Sequence, residues 1–227
     1  MDITTRHNPS FSVARALLGP NEALRLESGA MMAMAADIDL DAKVEGGLMK
    51  GLKRSVLGGE SLFITTATAG PTGGWIDVAA SLPGDVAVVD LVEGSPMLIQ
   101  KGSFLCAEQG VDIDTKFGGL KSMVGGEGAF LLRASGQGKL VLSTYGALDR
   151  FTLESGQTVI VDTNHMVAFA ESVTMELKKA SESKMKSLKS GEGLVFNFTG
   201  PGELMMQSRN PDDLIRYLTA NMPGNRA

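Results

Sequence analysis

Two histidines, one cysteine and a few alternating acids are the residues in this 227-residue chain whose types could do chemistry. His165 lies close in sequence to Asp162 and Glu171, and an imidazole beside carboxylates is a donor set for a metal ion or for proton transfer. Two histidines in all, His7 and His165, cannot furnish the His-rich cluster of a double-stranded β-helix metalloenzyme unless carboxylates replace most of it. The simpler reading is a histidine at a strand end, hydrogen-bonded to Asp162. Cys106 as a nucleophile would need a neighbouring base and an accessible, electropositive setting to form thiolate. Asp37 with Asp39, Asp112 with Asp114, and their counterparts Thr174 with Glu176 share one face of a strand, where paired carboxylates hold hard cations or move protons. The apolar residue between them, Ile38, Ile113 or Met175, fits instead an edge strand with its acids turned to solvent.

The elements that must position these residues come in three copies. The stretch from Gly29 to Leu40 reappears from Gly102 to Asp114 and from Asn164 to Glu176, and each copy then runs through a segment ending in Gly58-Gly59-Glu60, Gly125-Gly126-Glu127 or Ser190-Gly191-Glu192. The period is constant to within loop-sized insertions, and three copies at this length favour a closed pseudo-threefold body over an open array. The alignment also bears on the chemistry. Cys106 falls in register with Ala33 and Ala168, which makes it a core filler rather than a nucleophile.

Short apolar runs separated by 28 glycines predict many short strands and tight turns. The strands expected are Ala23–Leu26, Ser95–Ile99 and Thr158–Val161, followed by Ala30–Met34, Ser103–Ala107 and His165–Phe169, the latter set buried on both faces. After each acidic landmark a hairpin is expected. Its arms are Leu62–Ile64 with Trp75–Val78, Ala129–Leu132 with Leu140–Leu142, and Leu194–Phe196 with Leu204–Met206, with glycine-rich turns between them. Leu48, Leu52 and Val56 have helical spacing. The clearest helix begins after Asn210, which can cap it; Pro211 suits its first position, and Asp212 and Asp213 its positive end. Its apolar side, Leu214, Ile215 and Leu218, is expected to pack on the β body or on a neighbouring subunit.

Composition is that of a globular chain: 43% hydrophobic, 21% charged, net charge -5. The N-terminus lacks the apolar run of a secretory signal, no segment approaches a membrane span, and a single cysteine fits a reducing compartment. The expected location is the cytoplasm. No glycine cluster is a phosphate loop, because no Gly-Lys-Ser or Gly-Lys-Thr occurs. One Trp, two Tyr and a pI near 5.1 argue against nucleic acid.

Gly-Gly-Glu before an apolar strand, the Gly-x-Gly turns, Val161-Asp162-Thr163-Asn164-His165-Met166-Val167-Ala168 and the closing Gly200-Pro201-Gly202-Glu203-Leu204-Met205-Met206-Gln207-Ser208-Arg209 together resemble the altered-inheritance-of-mitochondria twenty-four-like family. The resemblance runs from about Phe11 to Arg209. It implies an all-β fold like that of the tryptophan RNA-binding attenuator protein, with repeats about a pseudo-threefold axis. Eukaryotic relatives are mitochondrial and linked to inner-membrane organisation. The resemblance brings no catalytic residues.

The expectation is therefore one all-β domain over 1–227, with repeats at approximately 11–90, 91–148 and 149–209 and a C-terminal helix at approximately 211–221. It is read as a non-enzymatic binding or scaffold protein with no assigned catalytic residue, metal ligand set or cofactor. Seven of 21 basic residues, Lys50, Lys53, Arg54, Lys121, Lys184, Lys186 and Lys189, gather in the three connections before the Gly-Glu landmarks. They could form a cationic rim for a partner protein or an anionic membrane surface. Strand edges and the run Met31-Met32-Ala33-Met34 point to a homo-oligomer. The alternative is a small-molecule or metal-binding protein, with or without catalysis, whose site involves Asp162, His165 and Glu171.

Overall fold

The computed structural model describes residues 1–41, 64–114, 131–179 and 194–222. Among them the chain is predominantly β. The strands are β1 (Asp2–Arg6), β2 (Val13–Leu18), β3 (Ala23–Glu27), β4 (Met31–Met34), β5 (Ile38–Asp41), β6 (Ile64–Ala69), β7 (Gly74–Ala79), β8 (Val86–Leu91), β9 (Met97–Gln100), β10 (Phe104–Glu108), β11 (Val111–Asp114), β12 (Leu131–Gly136), β13 (Gly138–Ser143), β14 (Leu148–Leu153), β15 (Thr158–Asp162), β16 (Met166–Ala170), β17 (Thr174–Lys179), β18 (Leu194–Thr199) and β19 (Gly202–Gln207). One helix, α1 (Pro211–Asn221), follows.

The strands make four antiparallel sheets, in the orders β1-β2-β7-β4, β5-β6-β3-β10-β13-β8, β11-β12-β9-β16-β19-β14 and β15-β18-β17. The expected hairpins do not form. β6 pairs with β3 and β5, while β7 pairs with β2 and β4; β12 and β13, and β18 and β19, part in the same way. The glycine-rich turns are corners that carry the chain from one sheet to another. The apolar runs hold the reason: Leu140, Val141 and Leu142 on β13 are all buried, so both faces of the strand are covered, which alternation in a one-sided hairpin does not require. At one such corner Gly136 has φ +92, and a Cβ there would lie 2.3 Å from the Gly110 carbonyl oxygen. Only glycine fits.

Three pairs slip by one residue at the same point. The bulges fall between Met31 and Ala33 on β4, Phe104 and Cys106 on β10, and Met166 and Ala168 on β16. Sheets continue across what the sequence marks as boundaries, because β10 pairs with β3 and β16 with β9. The apolar clusters follow suit. Leu105, Cys106 and Val141 pack with Leu24, Leu26 and Ile76, and Val167, Ala168 and Met205 pack with Ile99, Leu132 and Leu140. A third cluster centres on Phe169, Phe196 and Phe198, whose tilted rings lie 5.1 and 5.7 Å apart.

Cys106 is fully buried, and burial pushes its thiol well up from the ordinary range. The acids on β5, β11 and β17 behave as edge-strand residues: Asp39, Asp112, Asp114 and Glu176 are exposed, while Ile38 and Ile113 are buried. The expected helix through Leu48, Leu52 and Val56, and the first residues of the arms at Leu62 and Ala129, lie outside the described residues.

Candidate functional site

Two of the residues that the sequence singled out, Asp162 and His165, lie around the junction of β15, β19 and α1. Asp162 ends β15, and its carboxylate accepts from the Asn164 backbone N–H at 3.0 Å, capping the single 3-10 turn Thr163–His165. The Asn164 side chain donates to Asp212 at 2.9 Å, which ties that turn to the first turn of α1. Asn210 caps the helix by accepting from the Asp212 N–H at 2.8 Å. Gln207 completes the frame, accepting from the Tyr145 N–H and donating to the Asn164 carbonyl, both at 2.8 Å. A cleft of about 340 Å³ opens here, lined by Tyr145, His165, Ser208, Arg209, Asp213 and Tyr217 among others.

His165 is not held by Asp162, whose carboxylate is taken by its own turn. Its Nδ1 lies 2.7 Å from the Gln207 carbonyl oxygen. A carbonyl can only accept, so Nδ1 carries a proton and donates it to this contact. Glu171 is engaged elsewhere, in a bidentate pair with Arg133 at 2.7 and 3.1 Å that draws its carboxyl below the usual range. Each of the three residues thus has its own partner. Among the described residues no group of three or more His, Cys, Asp or Glu could hold a metal ion.

A second polar centre was not read from the sequence. Asp77 on β7 is 1% exposed, yet two guanidiniums converge on it: Arg6 at 3.1 and 2.8 Å, and Arg15 at 2.8 Å through both Nε and Nη2. Their positive charge and hydrogen bonds hold its carboxyl far below the ordinary value. Arg15 also stacks over Trp75, 4.2 Å from the ring centre. β1, β2 and β7 lie side by side, so Thr4, Arg15 and Asp77 stand in one cross-strand row, and the arginines border a depression of about 340 Å³. The available signal was the acid inside the apolar run Trp75-Ile76-Asp77-Val78, at the place beside the bulge where β13 has Val141 and β19 has Met205.

Exposed apolar side chains include Phe11, Val92 and Ile160, and gather on β4 and on α1. On β4 Met31 and Met32 are exposed. On α1 no residue is buried, and Ile215, Tyr217, Leu218 and then Met222 face out. The helix therefore leaves most of its apolar side off the β body; of Leu214, Ile215 and Leu218, only Leu214 is half-buried. No helix among the described residues is long and apolar enough to cross a membrane. The basic residues Lys50, Lys53, Arg54, Lys121, Lys184, Lys186 and Lys189 lie outside the described residues.

A family profile described as mitochondrial biogenesis AIM24 matches residues 3–209. The chain belongs to the AIM24 family. Two relatives come from Streptococcus pyogenes. An uncharacterised protein of serotype M6 is 27% identical over 231 residues, covering 98% of this chain and 92% of that protein. A crystal structure of a protein from the same species is 26% identical, with a TM-score of 0.78 over 96% of this chain and 98% of that one. The AIM24 match takes in β1 through β19 and stops where α1 begins, so Asp77, Arg15 and His165 lie inside it.

Proposed function

We propose that this AIM24-family protein is a non-enzymatic scaffold, a β body that acts by binding copies of itself and other molecules through its surface. The observation that carries the reading is apolar surface left open at β4 and α1. Ile215 and Leu218 lie one turn apart on α1, with Met222 exposed at its C-terminal cap, and exposed apolar surface of this kind marks a contact site. Asp162, Glu171 and His165 are meanwhile occupied in capping, ion pairing and tying elements together.

In this reading the body is three copies of one six-stranded unit, β2–β7, β8–β13 and β14–β19. Support comes from recurrence: within each set the first strand pairs with the sixth, the second with the fifth, the third with the sixth and the fourth with the fifth. The lysine-bearing connections join the paired strands β5 and β6, β11 and β12, and β17 and β18. Each therefore leaves and re-enters the body at a corresponding point. Their cationic residues form a rim that engages an anionic membrane surface or an acidic partner, and the cytoplasm is the compartment we assign. Flotation with vesicles containing anionic lipid tests the rim. Wild type should float at low salt, and a variant with all seven basic residues replaced by Gln should not; equal behaviour of the two refutes it.

A ligand-binding reading of the His165 cleft is favoured by one observation, that His165 lines it together with Tyr145 and Tyr217. Stoichiometric metal in protein purified without tag or chelator, lost on His165→Ala, would favour it over the scaffold.

A further inference from the structure

The two internal junctions of the chain follow one rule. At the first, β10 lies antiparallel to β3, with Cys106, Ala107 and Glu108 opposite Leu26, Arg25 and Leu24. At the second, β16 lies antiparallel to β9, with Ala168, Phe169 and Ala170 opposite Ile99, Leu98 and Met97. In each, the third strand of one unit joins the second strand of the unit before it. Two strands are left over by this rule. β4 pairs with β7 alone and β15 with β18 alone, so the outer edge of each is open among the described residues.

The side chains at these edges match an unfinished junction. Met32 occupies the bulge position held by Leu105 on β10 and Val167 on β16. Leu105 and Val167 are both 0% exposed, whereas Met32 is 52% exposed. On β15, Ile160 is 66% exposed, while Leu98 at the corresponding place on β9 is 7% exposed. The first and second apolar clusters each receive residues from the unit that follows, Leu105, Cys106 and Val141 in one and Val167, Ala168 and Met205 in the other. The third cluster, built on Phe169, Phe196 and Phe198, receives no residues from a following unit among the described residues.

We propose that the open edge of β4 in one copy pairs antiparallel with the open edge of β15 in the next, so that identical copies join head to tail into a closed ring. The proposal rests on the three-unit reading given above and goes beyond it by naming the partner, the two edges and the register. Leu26, Ile99 and Val161 each lie five residues before the first residue of the strand that follows, Met31, Phe104 or Met166. Carrying the internal registers over on that alignment sets Ala33 opposite Val161, Met34 opposite Ile160 and Ala35 opposite Val159. The contact is heterologous, because the two edges differ, and such contacts generate rings or filaments rather than two-fold dimers. Each copy carries one edge of each kind, so closure leaves neither open, and unprotected strand edges are what folded proteins avoid. The closure that the threefold repeat led us to expect within one chain is placed between chains. This junction also bears an ion cluster that the internal ones lack, since Asp77 stands opposite Ala33 where Val141 and Met205 stand opposite Cys106 and Ala168.

Full-length Met34→Cys and Ile160→Cys proteins, with the buried Cys106 left in place, provide the test. Mixed under dissociating and then assembling conditions and treated with a short thiol cross-linker, the two should yield a covalent dimer containing one of each, while either variant alone yields none. The double variant should yield a ladder. A Met32→Lys, Ile160→Lys protein, altered at two side chains already exposed in the single chain, should fall to the 23.9 kDa monomer with its β circular dichroism intact. Dimers from Met34→Cys alone would show a two-fold β4 contact and overturn the proposal. An assembled protein that cross-links in no combination would overturn this interface but leave the scaffold reading standing. A wild type that is monomeric throughout would overturn both.

Discussion

Removing the two arginines that hold Asp77 tests whether this buried acid is a structural keystone of the first sheet. Arg6 and Arg15 are 35% and 39% exposed, while the Asp77 side chain is 2% exposed. Losing one arginine leaves the other paired with the carboxylate, and the departing group was partly solvated. Arg6→Met should therefore cost about 1–2 kcal/mol, less than the removal of a partner from a fully buried pair. Arg15→Met should exceed it by about 0.5–1 kcal/mol, because it also loses the contact with Trp75. The double variant leaves an unpartnered buried carboxylate and should cost about 3–5 kcal/mol. Adding Asp77→Val should bring stability back to within about 1 kcal/mol of wild type, since replacing all members of a polar cluster by apolar groups is close to neutral and Val141 already fills the corresponding place on β13. Urea unfolding followed by far-ultraviolet circular dichroism, with the m-value checked for constancy, gives the four free energies. The pH dependence has a definite sign. The folded carboxyl titrates well below the unfolded one, so the pairing contributes fully above the unfolded pKa near 4 and fades as pH falls below it. Wild type should lose stability more steeply than the triple variant below about pH 4. A double variant within about 0.5 kcal/mol of wild type, or a triple variant no better than the double, refutes the reasoning.

Glu27 carries the opposite shift: burial pushes its carboxyl up, opposed by the charge of Lys101. Its folded pKa lies above the unfolded one, so its ionisation is a penalty that is absent at low pH and builds as pH rises through the unfolded pKa. Glu27→Gln should raise the urea midpoint at pH 7, by an amount within about 1 kcal/mol, and leave it unchanged below pH about 4; an equal gain at both pH values contradicts this. Cys106 should resist thiol reagents in the native protein and react in urea, and Cys106→Ala should cost about 1 kcal/mol; fast native labelling would show an accessible thiol. Asn210→Ala removes the cap of α1 and should cost about 1 kcal/mol of local helix stability, read as faster amide exchange from Asp212 to Leu214; unchanged exchange would show that the cap is idle.

Much of the fold was legible because glycine landmarks and short apolar runs have a direct physical meaning. Ala23–Leu26, Ser95–Ile99, Thr158–Val161 and the strands after them all appear within a residue or two, and the Asn210-Pro211 start of α1 is where capping chemistry set it. Partnering was less legible. β6 and β7 are adjacent in sequence with a glycine-rich turn, and nothing in their alternation distinguishes a hairpin from two strands that part into different sheets. The apolar side of α1 was readable but its packing was not, since an amphipathic stripe looks the same against a body or a partner. Asp162 and His165 stand out in the sequence, but a carboxylate two residues before an N–H caps that turn locally, a competitor to the expected histidine contact. Asp77 was missed because its partners Arg6 and Arg15 lie 71 and 62 residues away in sequence. Only strand order brings them together.

Sedimentation equilibrium of the untagged full-length protein at micromolar concentration bears most directly on the scaffold assignment. An assembling scaffold with open β4 and β15 edges gives one species whose mass is a fixed integer multiple, greater than one, of 23.9 kDa. A single species at 23.9 kDa across the whole concentration range would contradict it.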